Sequence, residues 1–421
     1  MAAAMLLACI TACGQKPADD KQAEENSAKV KGMLPDIDPE DYRGTKIVEA
    51  TTKYTFRSRI PNEAEEFEDK YGIEYEWISI DQSTAADEVA AMLASDKQVD
   101  LYYDMATFPY SLTVLQPIDA AGLNLESSFW NKAVIKASTV EGKTYLVDAV
   151  SSHISSLDLC VFNKRLFDEA GLTYPSELHK KGEWTFDAFK NAAKKIASLN
   201  KEYSGAGTLD ETMPGVFGCR VFDFKDGKVS VAVDERYKEV LTEMAQMRVD
   251  GYLKLDRFGF DDGKQGLCLT DTYALYRRGY FTHIDPEIVG ITYLPVAEKG
   301  DPQIYTAQLE GYGLVKGAKN PVAAGIYMSH LLSLEHSDRY ANSFINKEAE
   351  EFFYELTASC PEDVLYQHNT SVGRATDNSL GHLGYCIMDT EPEDIAAYID
   401  SKLPELNQMA EKLNNKIKES S

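Results

Sequence analysis

Basic charge is in short supply in this chain. Its 43 Lys and Arg face 68 Asp and Glu across 421 residues, for a formal net charge of −25. The excess is spread along the chain, not gathered in one tail, and a surface of that sign repels nucleic acid and anionic lipid headgroups, which argues against both as direct partners. Histidine is scarce too, with 7 in the whole chain. No HxxxH, HExxH or clustered carboxylate spacing accompanies His153, and His330 and His336 do not share one helix face. Satisfied or exposed histidines are the default, and a metal-dependent activity has no support. The chain holds no P-loop, no phosphate-cradling GxGxxG and no GxSxG elbow, so the motif-borne designs for phosphoryl and acyl transfer are missing. Its 7 cysteines include no CxxC pair and no metal-type spacing.

What the chain does have is length and apolar mass. A chain of 421 residues exceeds what one core usually holds, so two lobes are expected. A hydrophobic share of 44%, with 24 Tyr and 17 Phe, is ample for burial. Met1 to Ala12 is small and apolar, too short to span a bilayer. It runs into Ile10-Thr11-Ala12-Cys13-Gly14, which resembles a bacterial lipobox with Cys13 as the lipidated residue. Leu6-Leu7-Ala8-Cys9 fits more loosely, because Gly14 and Gln15 suit Cys13 better. The first Lys is Lys16, so a basic leader region is missing and the true start is expected upstream of Met1. From Gly14 to about Pro39 the chain is polar and acidic and reads as a tether. About 26 flexible residues reach roughly 25 to 30 Å on average, enough to hold a globule just off a membrane. Of the remaining cysteines, Cys160, Cys219, Cys268, Cys360 and Cys386, the runs around Cys160 and Cys268 are apolar and strand-like, and both read as buried thiols. One or two disulfides within the set stay open.

The globule begins near Asp41. Lys46 to Thr52 reads as a strand, Pro61 to Lys70 as a helix opened by Pro and closed by Gly72, and Ile73 to Ile80 as a strand. Thr84 to Ser95 follows as a helix with Val89, Met92 and Leu93 on one face, then Val99 to Tyr103 as a strand. That alternation predicts parallel pairing through right-handed crossovers. Further strands are expected over Val216 to Val221 and Gly266 to Thr270. Asn320 reads as an N-cap and Pro321 as the first residue of a helix. Pro321 to Leu334 contains no Asp, Glu, Lys or Arg, so burial must hold that helix. Thr185 caps a helix from Phe186 to Leu199, with Trp184 as core packing at its entry. Glu391 to Lys418 carries a helical stripe, Ile395, Ile399, Leu403, Leu406, Met409 and Leu413, interrupted at Pro404 and suited to packing on the second lobe.

Residues 157–199 are the most informative stretch. A strand, Leu157 to Phe162, runs through Asn163-Lys164 into an amphipathic helix, then a Pro-bearing loop, then Trp184-Thr185-Phe186 at the head of a second helix. This order resembles the start of the second lobe in extracellular solute-binding proteins of bacterial ABC transporters, the maltose-binding-protein-like class. Other segments are similar to that family in the same order. They are Met92-Leu93-Ala94-Ser95-Asp96 before Val99-Asp100-Leu101, Leu115-Gln116-Pro117-Ile118-Asp119, Glu141-Gly142-Lys143-Thr144-Tyr145, and Ile291-Thr292-Tyr293-Leu294-Pro295 as a strand returning to lobe one. Glu310-Gly311-Tyr312-Gly313-Leu314-Val315 before Lys319-Asn320-Pro321 completes the set. Family members often have Gly and Pro where this chain has Asp96, Lys97 and Val99.

The resemblance implies an α/β, two-lobed periplasmic-binding-protein-like fold (type II) with hinge crossovers between the lobes. In that frame 1–13 is a lipoprotein signal, 14–40 a flexible tether, 41–153 with 293–340 lobe one, and 154–292 with 341–418 lobe two. The resemblance also implies an extracellular, lipid-anchored monomer without cofactor or catalysis, which captures a carbohydrate, an oligosaccharide by expectation, and hands it to ABC permease subunits.

Sugar recognition needs flat apolar faces for the C–H side of a pyranose and planar polar groups for its hydroxyls. Open α/β sheets bind ligands beyond the carboxyl ends of their strands. That rule nominates Tyr54, Phe56 and Arg57 after the first strand, Asp104 and Phe108 after the third, and Ser151, Ser152 and His153 at the first crossover. In the second lobe it nominates Phe222 and Asp223, then Asp271 and Tyr273. At the return crossover stand Glu310 and Tyr312, where the resemblance places a ligand contact. An ordinary rim or core position is at least as natural a reading for each of these, and burial is the more natural one for Trp130. Three rivals remain. One is the same fold binding a peptide, a polyamine or an anionic metabolite, to which Arg57 and Arg220 would be suited. Another is a receptor serving a sensor kinase. The third is a secreted carbohydrate-active enzyme with two carboxylates, for which 68 acidic residues carry no weight by abundance alone.

Overall fold

The computed structural model describes residues 27–52, 61–150, 157–208, 212–256, 258–276, 279–333, 344–359 and 361–420. Cys13, Tyr54, Phe56, Arg57, Ser151, Ser152, His153 and Cys360 lie outside the described residues. The strands in chain order are β1 (Lys46–Thr52), β2 (Glu74–Ile80), β3 (Leu101–Met105), β4 (Leu115–Gln116), β5 (Thr139–Val140), β6 (Lys143–Thr144), β7 (Leu146–Val147), β8 (Asp158–Asn163) and β9 (Ser204–Gly207). They continue as β10 (Phe222–Lys225), β11 (Lys228–Val231), β12 (Leu253–Lys254), β13 (Gln265–Asp271), β14 (Val289–Thr292), β15 (Tyr305–Gln308), β16 (Glu310–Val315) and β17 (Val364–Gln367).

The first sheet has six strands in the order β2-β1-β3-β16-β4, with β7 added against β16. β1 runs parallel to β2 from Lys46↔Glu74 to Thr52↔Ile80 and parallel to β3 at Glu49↔Leu101, as the alternation predicts. The crossover helices are Pro61–Tyr71 and Ala85–Ala94. β16 returns antiparallel to β3. The helix Pro321–Ser333 is buried on every side from Ala323 onward, so burial does hold it. It begins at Pro321 with Asn320 at the cap position, where the Asn320 C=O accepts Ala324 N, but the Asn320 side chain is used elsewhere. Asp100 Oδ1 accepts the backbone N–H groups of Lys319 (2.7 Å) and Asn320 (3.1 Å), while the Asn320 amide donates instead to Lys46 O at 2.8 Å. A charged acceptor at the head of β3 thus fixes the backbone that leads into the helix.

The second sheet has five strands in the order β12-β9-β13-β8-β14 and no strand in common with the first. β8 is antiparallel to both of its neighbours, β13 and β14. Asn163 caps the helix Lys164–Ala170 by accepting from Leu166 N at 3.3 Å, and Gly171 ends it at φ 59°. Thr185 Oγ1 caps Phe186–Ala197 through Ala188 N at 3.2 Å, and the buried Trp184 donates from Nε1 to Tyr293 O at 3.0 Å. Cys160 and Cys268 are buried thiols on adjacent strands; the pairings Cys160↔Leu269 and Val161↔Cys268 put them on opposite faces.

Several expectations need correcting. Residues 27–33 are helical, and Val30, Met33 and Leu34 are buried against Phe67 and Tyr71 of the first lobe, so the tether expected over 14–40 is folded from residue 27 on. The polar run conceals apolar residues at i, i+3 and i+4, one helix face. No strand covers Val216 to Val221. The helix Thr212–Val216 stops in a turn with Gly218 at φ 72°, and extended structure begins at Phe222 in the hairpin β10–β11. Asp226 and Gly227 turn that hairpin with φ of 51° and 74°, the conformation that an Asp-Gly pair favours between strands. Ile291 lies in β14 of the second sheet, paired with Val161, and not in a strand of the first. Pro404 does not interrupt the last helix, which runs Ile395–Ser420. Ile399, Leu406, Met409 and Leu413 are buried along it, and the Asn414 amide exchanges 2.9 Å bonds with Val229 N and O.

The chain passes between the sheets after β7, again between β14 and β16, and again between the helices Pro321–Ser333 and Lys347–Ser359. β15 and β17 form a parallel two-stranded ribbon, bridged at Leu157↔Ala307. One core packs within the first lobe (Ile47, Phe67, Leu101, Tyr327) and one largely within the second (Phe162, Phe189, Tyr237, Leu406). A third continues from Tyr102 through Leu157, Ala307 and Tyr366 to Val161 and Cys268, which makes the ribbon the hydrophobic joint of the molecule. Among the described residues no helix is long and apolar enough to cross a membrane.

Candidate functional site

Parallel strands gather chain ends at one edge, and the connections between the lobes leave from those edges. In the first sheet β1, β2 and β3 end at Thr52, Ile80 and Met105, and β16 starts beside them, with Glu310 opposite Met105. In the second sheet β9, β12, β13 and β14 end at Gly207, Lys254, Asp271 and Thr292, and β8 starts with Asp158 opposite Asp271. These two edges flank the hinge.

On the first edge, Asp104 is fully buried, and its Oδ1 accepts Thr107 N (2.7 Å) and Phe108 N (3.2 Å). Burial pushes this carboxyl above the ordinary carboxylate range. Its work is to shape the turn after β3. Tyr312 is likewise buried, its ring centroid 4.8 Å from that of Tyr103. Glu310 is half-buried and accepts from Tyr103 OH at 3.3 Å. Beside it lies a cation that the sequence reading passed over. Arg374, from the helix Asn369–Thr376, donates to Met105 O at 2.8 Å amid Asp81, Asp104 and Glu310, with burial drawing its pKa down. Nothing local marks Arg374; long-range packing delivers it.

On the second edge, Asp158 accepts from Thr306 Oγ1 of the ribbon. Burial, with Asp271 close by, raises Asp158 to about 8, so it carries its proton at neutral pH. Asp271 accepts from Tyr273 N (2.8 Å) through one oxygen and from Tyr280 OH (2.7 Å) through the other. The Tyr273 ring is 45% exposed and stands 5.0 Å from Tyr280, steeply inclined to it at 70°. An exposed aromatic face next to an anchored carboxylate offers the two kinds of contact a sugar ring needs.

Other nominated residues are elsewhere. Phe222 is fully buried in the second-lobe core because the hairpin turns its ring inward, and Asp223 pairs with Arg220 at 2.9 Å. Phe108 is buried with its ring 5.3 Å from Phe224, and Trp130 is buried with Nε1 donating to Asn124 O at 2.9 Å. Asp271, Tyr273 and Glu310 are thus the nominated residues described at the edges with exposed or half-buried side chains.

The seam between the lobes is polar. Ser371 Oγ donates to Thr107 O (2.6 Å) and accepts from Tyr110 N (3.1 Å), and His368 Nδ1 lies 3.3 Å from Phe108 O. Burial lowers His368 to about 4, so it is neutral. The side-chain amides of Gln367 and Asn369 are buried without a hydrogen-bond partner, a condition that costs about 1–3 kcal/mol per group. Among the described residues no cluster of His, Cys, Asp and Glu could hold a metal ion.

Residues 53–253 match the family model described as bacterial extracellular solute-binding protein. No curated protein matches the chain. Solved structures match it nearly end to end at low identity. Maltose-bound MalE3 of T. maritima is 17% identical over 89% of this chain and 99% of its own, with a TM-score of 0.59. The cyclic alpha-maltosyl-1,6-maltose binding protein of Arthrobacter globiformis is 15% identical over 89% and 99%, at 0.60. The galacto-N-biose-/lacto-N-biose I-binding protein of a Bifidobacterium longum ABC transporter, in complex with lacto-N-biose, is 14% identical over 88% and 98%, at 0.63. Residues 53–253 are thus similar to bacterial extracellular solute-binding proteins, and the two-sheet architecture of the whole chain is the type II fold of the solved binding proteins it matches.

Proposed function

We propose that this protein captures a carbohydrate between its lobes, an oligosaccharide in preference to a single ring, and delivers it to the permease of an ABC importer. The observation that carries the reading is the Tyr273 face beside the Asp271 carboxylate at a hinge edge, with Glu310 on the opposite lobe. Support comes from two of the similar proteins above, whose bound ligands are maltose and lacto-N-biose. Asp271, Tyr273 and Glu310 are the contacts proposed from the described residues; Tyr54, Phe56, Arg57, Ser151 and His153 are proposed to complete the site. Lobe one is proposed as 41–153 with 293–340 and lobe two as 154–292 with 341–418, with 27–40 folded onto lobe one. A ligand that touches both lobes only when they close shifts the open-to-closed equilibrium by its own differential affinity, and the closed form is what the permease reads. Lipidation at Cys13 would hold the protein at the membrane. Among the described residues, Arg220 is paired with Asp223 and Arg374 sits among carboxylates, so neither is presented to an anionic ligand.

The test is thermal shift and calorimetric titration of the purified chain against maltose, maltotetraose, lacto-N-biose and a sugar acid, followed by chromatography of the recovered ligand. A neutral sugar that stabilises the protein and returns intact supports the reading. Stabilisation by the acid alone, or recovery of cleaved sugar, refutes it.

A further inference from the structure

The junction between the ribbon and the helix Asn369–Thr376 is where both lobes meet one tripeptide. Gln367 ends β17 opposite Gln308, and Asn369 opens the helix. Between them His368 reaches Phe108 O of the first lobe and packs against the Phe224 ring of the second at 6.1 Å. Asn369 is 3% exposed, yet neither its amide nitrogen nor its amide oxygen has a partner, and the same is true of both amide atoms of Gln367. The helix is otherwise well bonded at this point: Ser371 both donates and accepts across the seam, and Arg374 reaches Met105 O. Native interiors leave few buried polar atoms unpaired, and two whole amides so close in sequence call for a partner from outside the chain, a ligand hydroxyl or a water. An amide presents a donor and an acceptor in one plane, which adjacent ring hydroxyls, each both donor and acceptor, can match.

We propose that Gln367 and Asn369 form a hydrogen-bonding subsite for adjacent hydroxyls of a neutral sugar ring, reached when the lobes part and covered when they close. The subsite rests on the carbohydrate reading above. Its surroundings select for neutrality, since His368 is uncharged and Arg220 is engaged by Asp223.

Asn369→Leu and Gln367→Met in the full chain test this, each compared with the wild type by calorimetric titration against the same sugars and by melting without sugar. Each variant is expected to bind the wild type's sugar about tenfold more weakly, while its ligand-free Tm holds or rises because an unpaired buried amide has become apolar at similar size. Lowered Tm with affinity retained would mark the amides as structural and overturn the subsite. If the wild type binds a sugar and both variants bind it equally well, the subsite alone fails. If the wild type binds none of the sugars, the carbohydrate reading fails and the subsite with it. Should Asn369→Leu not fold, Asn369→Ser with Gln367→Met carries the same comparison.

Discussion

Tyr273, nominated from the end of its strand, and Tyr312, nominated from the resemblance, are separated by their surroundings. Tyr273 presents an exposed ring at the second edge, so Tyr273→Ala is expected to weaken sugar binding by about three- to tenfold and to change unfolding free energy by no more than about 0.5 kcal/mol. Tyr312 is buried against Tyr103, so Tyr312→Ala is expected to cost about 3–5 kcal/mol of stability, as large-to-small core changes do; denaturant titration of the two variants side by side checks the contrast. Asp158 gives a pH signature. Its folded pKa is raised to about 8 from the ordinary 3.8, so between those values the unfolded chain binds fewer protons than the native one, and stability attributable to this group falls as pH rises through the window. Asp158→Asn keeps an acceptor for Thr306 and cannot ionise. The Tm of the variant minus that of the wild type should therefore grow from pH 5 to pH 8 and level off above; a difference independent of pH would mean that Asp158 is already ionised in the fold.

Among the elements, local signals were readable wherever a cap or a period decides the outcome. Asn163 and Thr185 cap the helices expected of them, and β1 has the bounds that its apolar run suggests. Where distant groups decide, the sequence was mute. Asp100 pins the backbone ahead of the helix Pro321–Ser333 from far along the chain, and Arg374, Gln367 and Asn369 reach the seam through packing that no local pattern encodes. The hairpin at Asp226-Gly227 is different, because an Asp-Gly pair is a legible turn signal, whereas the apolar run before it ends in a glycine turn and forms no strand. Two elements invite measurement. A chain beginning at Asp41 lacks Val30, Met33 and Leu34, each buried and each contributing about 1.5–3 kcal/mol. It should therefore unfold at distinctly lower urea than one beginning at Ser27, and equal midpoints would return 27–40 to the tether. Pro404 is exposed inside the helix Ile395–Ser420, so Pro404→Ala loses no packing and should raise unfolding free energy by up to about 3 kcal/mol.

For the whole molecule, sheet topology turns a list of strand ends into a hinge site. The lobes share no strand, and the connections between them converge on a ribbon whose Ala307 and Tyr366 belong to the core that both lobes share. Bending there would move Glu310 on one sheet relative to Asp271 on the other without breaking either, the arrangement on which hinge closure depends. Small-angle X-ray scattering with and without a saturating neutral sugar tests that claim most directly. The account predicts a smaller radius of gyration in the presence of the sugar, reversed on its removal. An unchanged radius at proven saturation would contradict it.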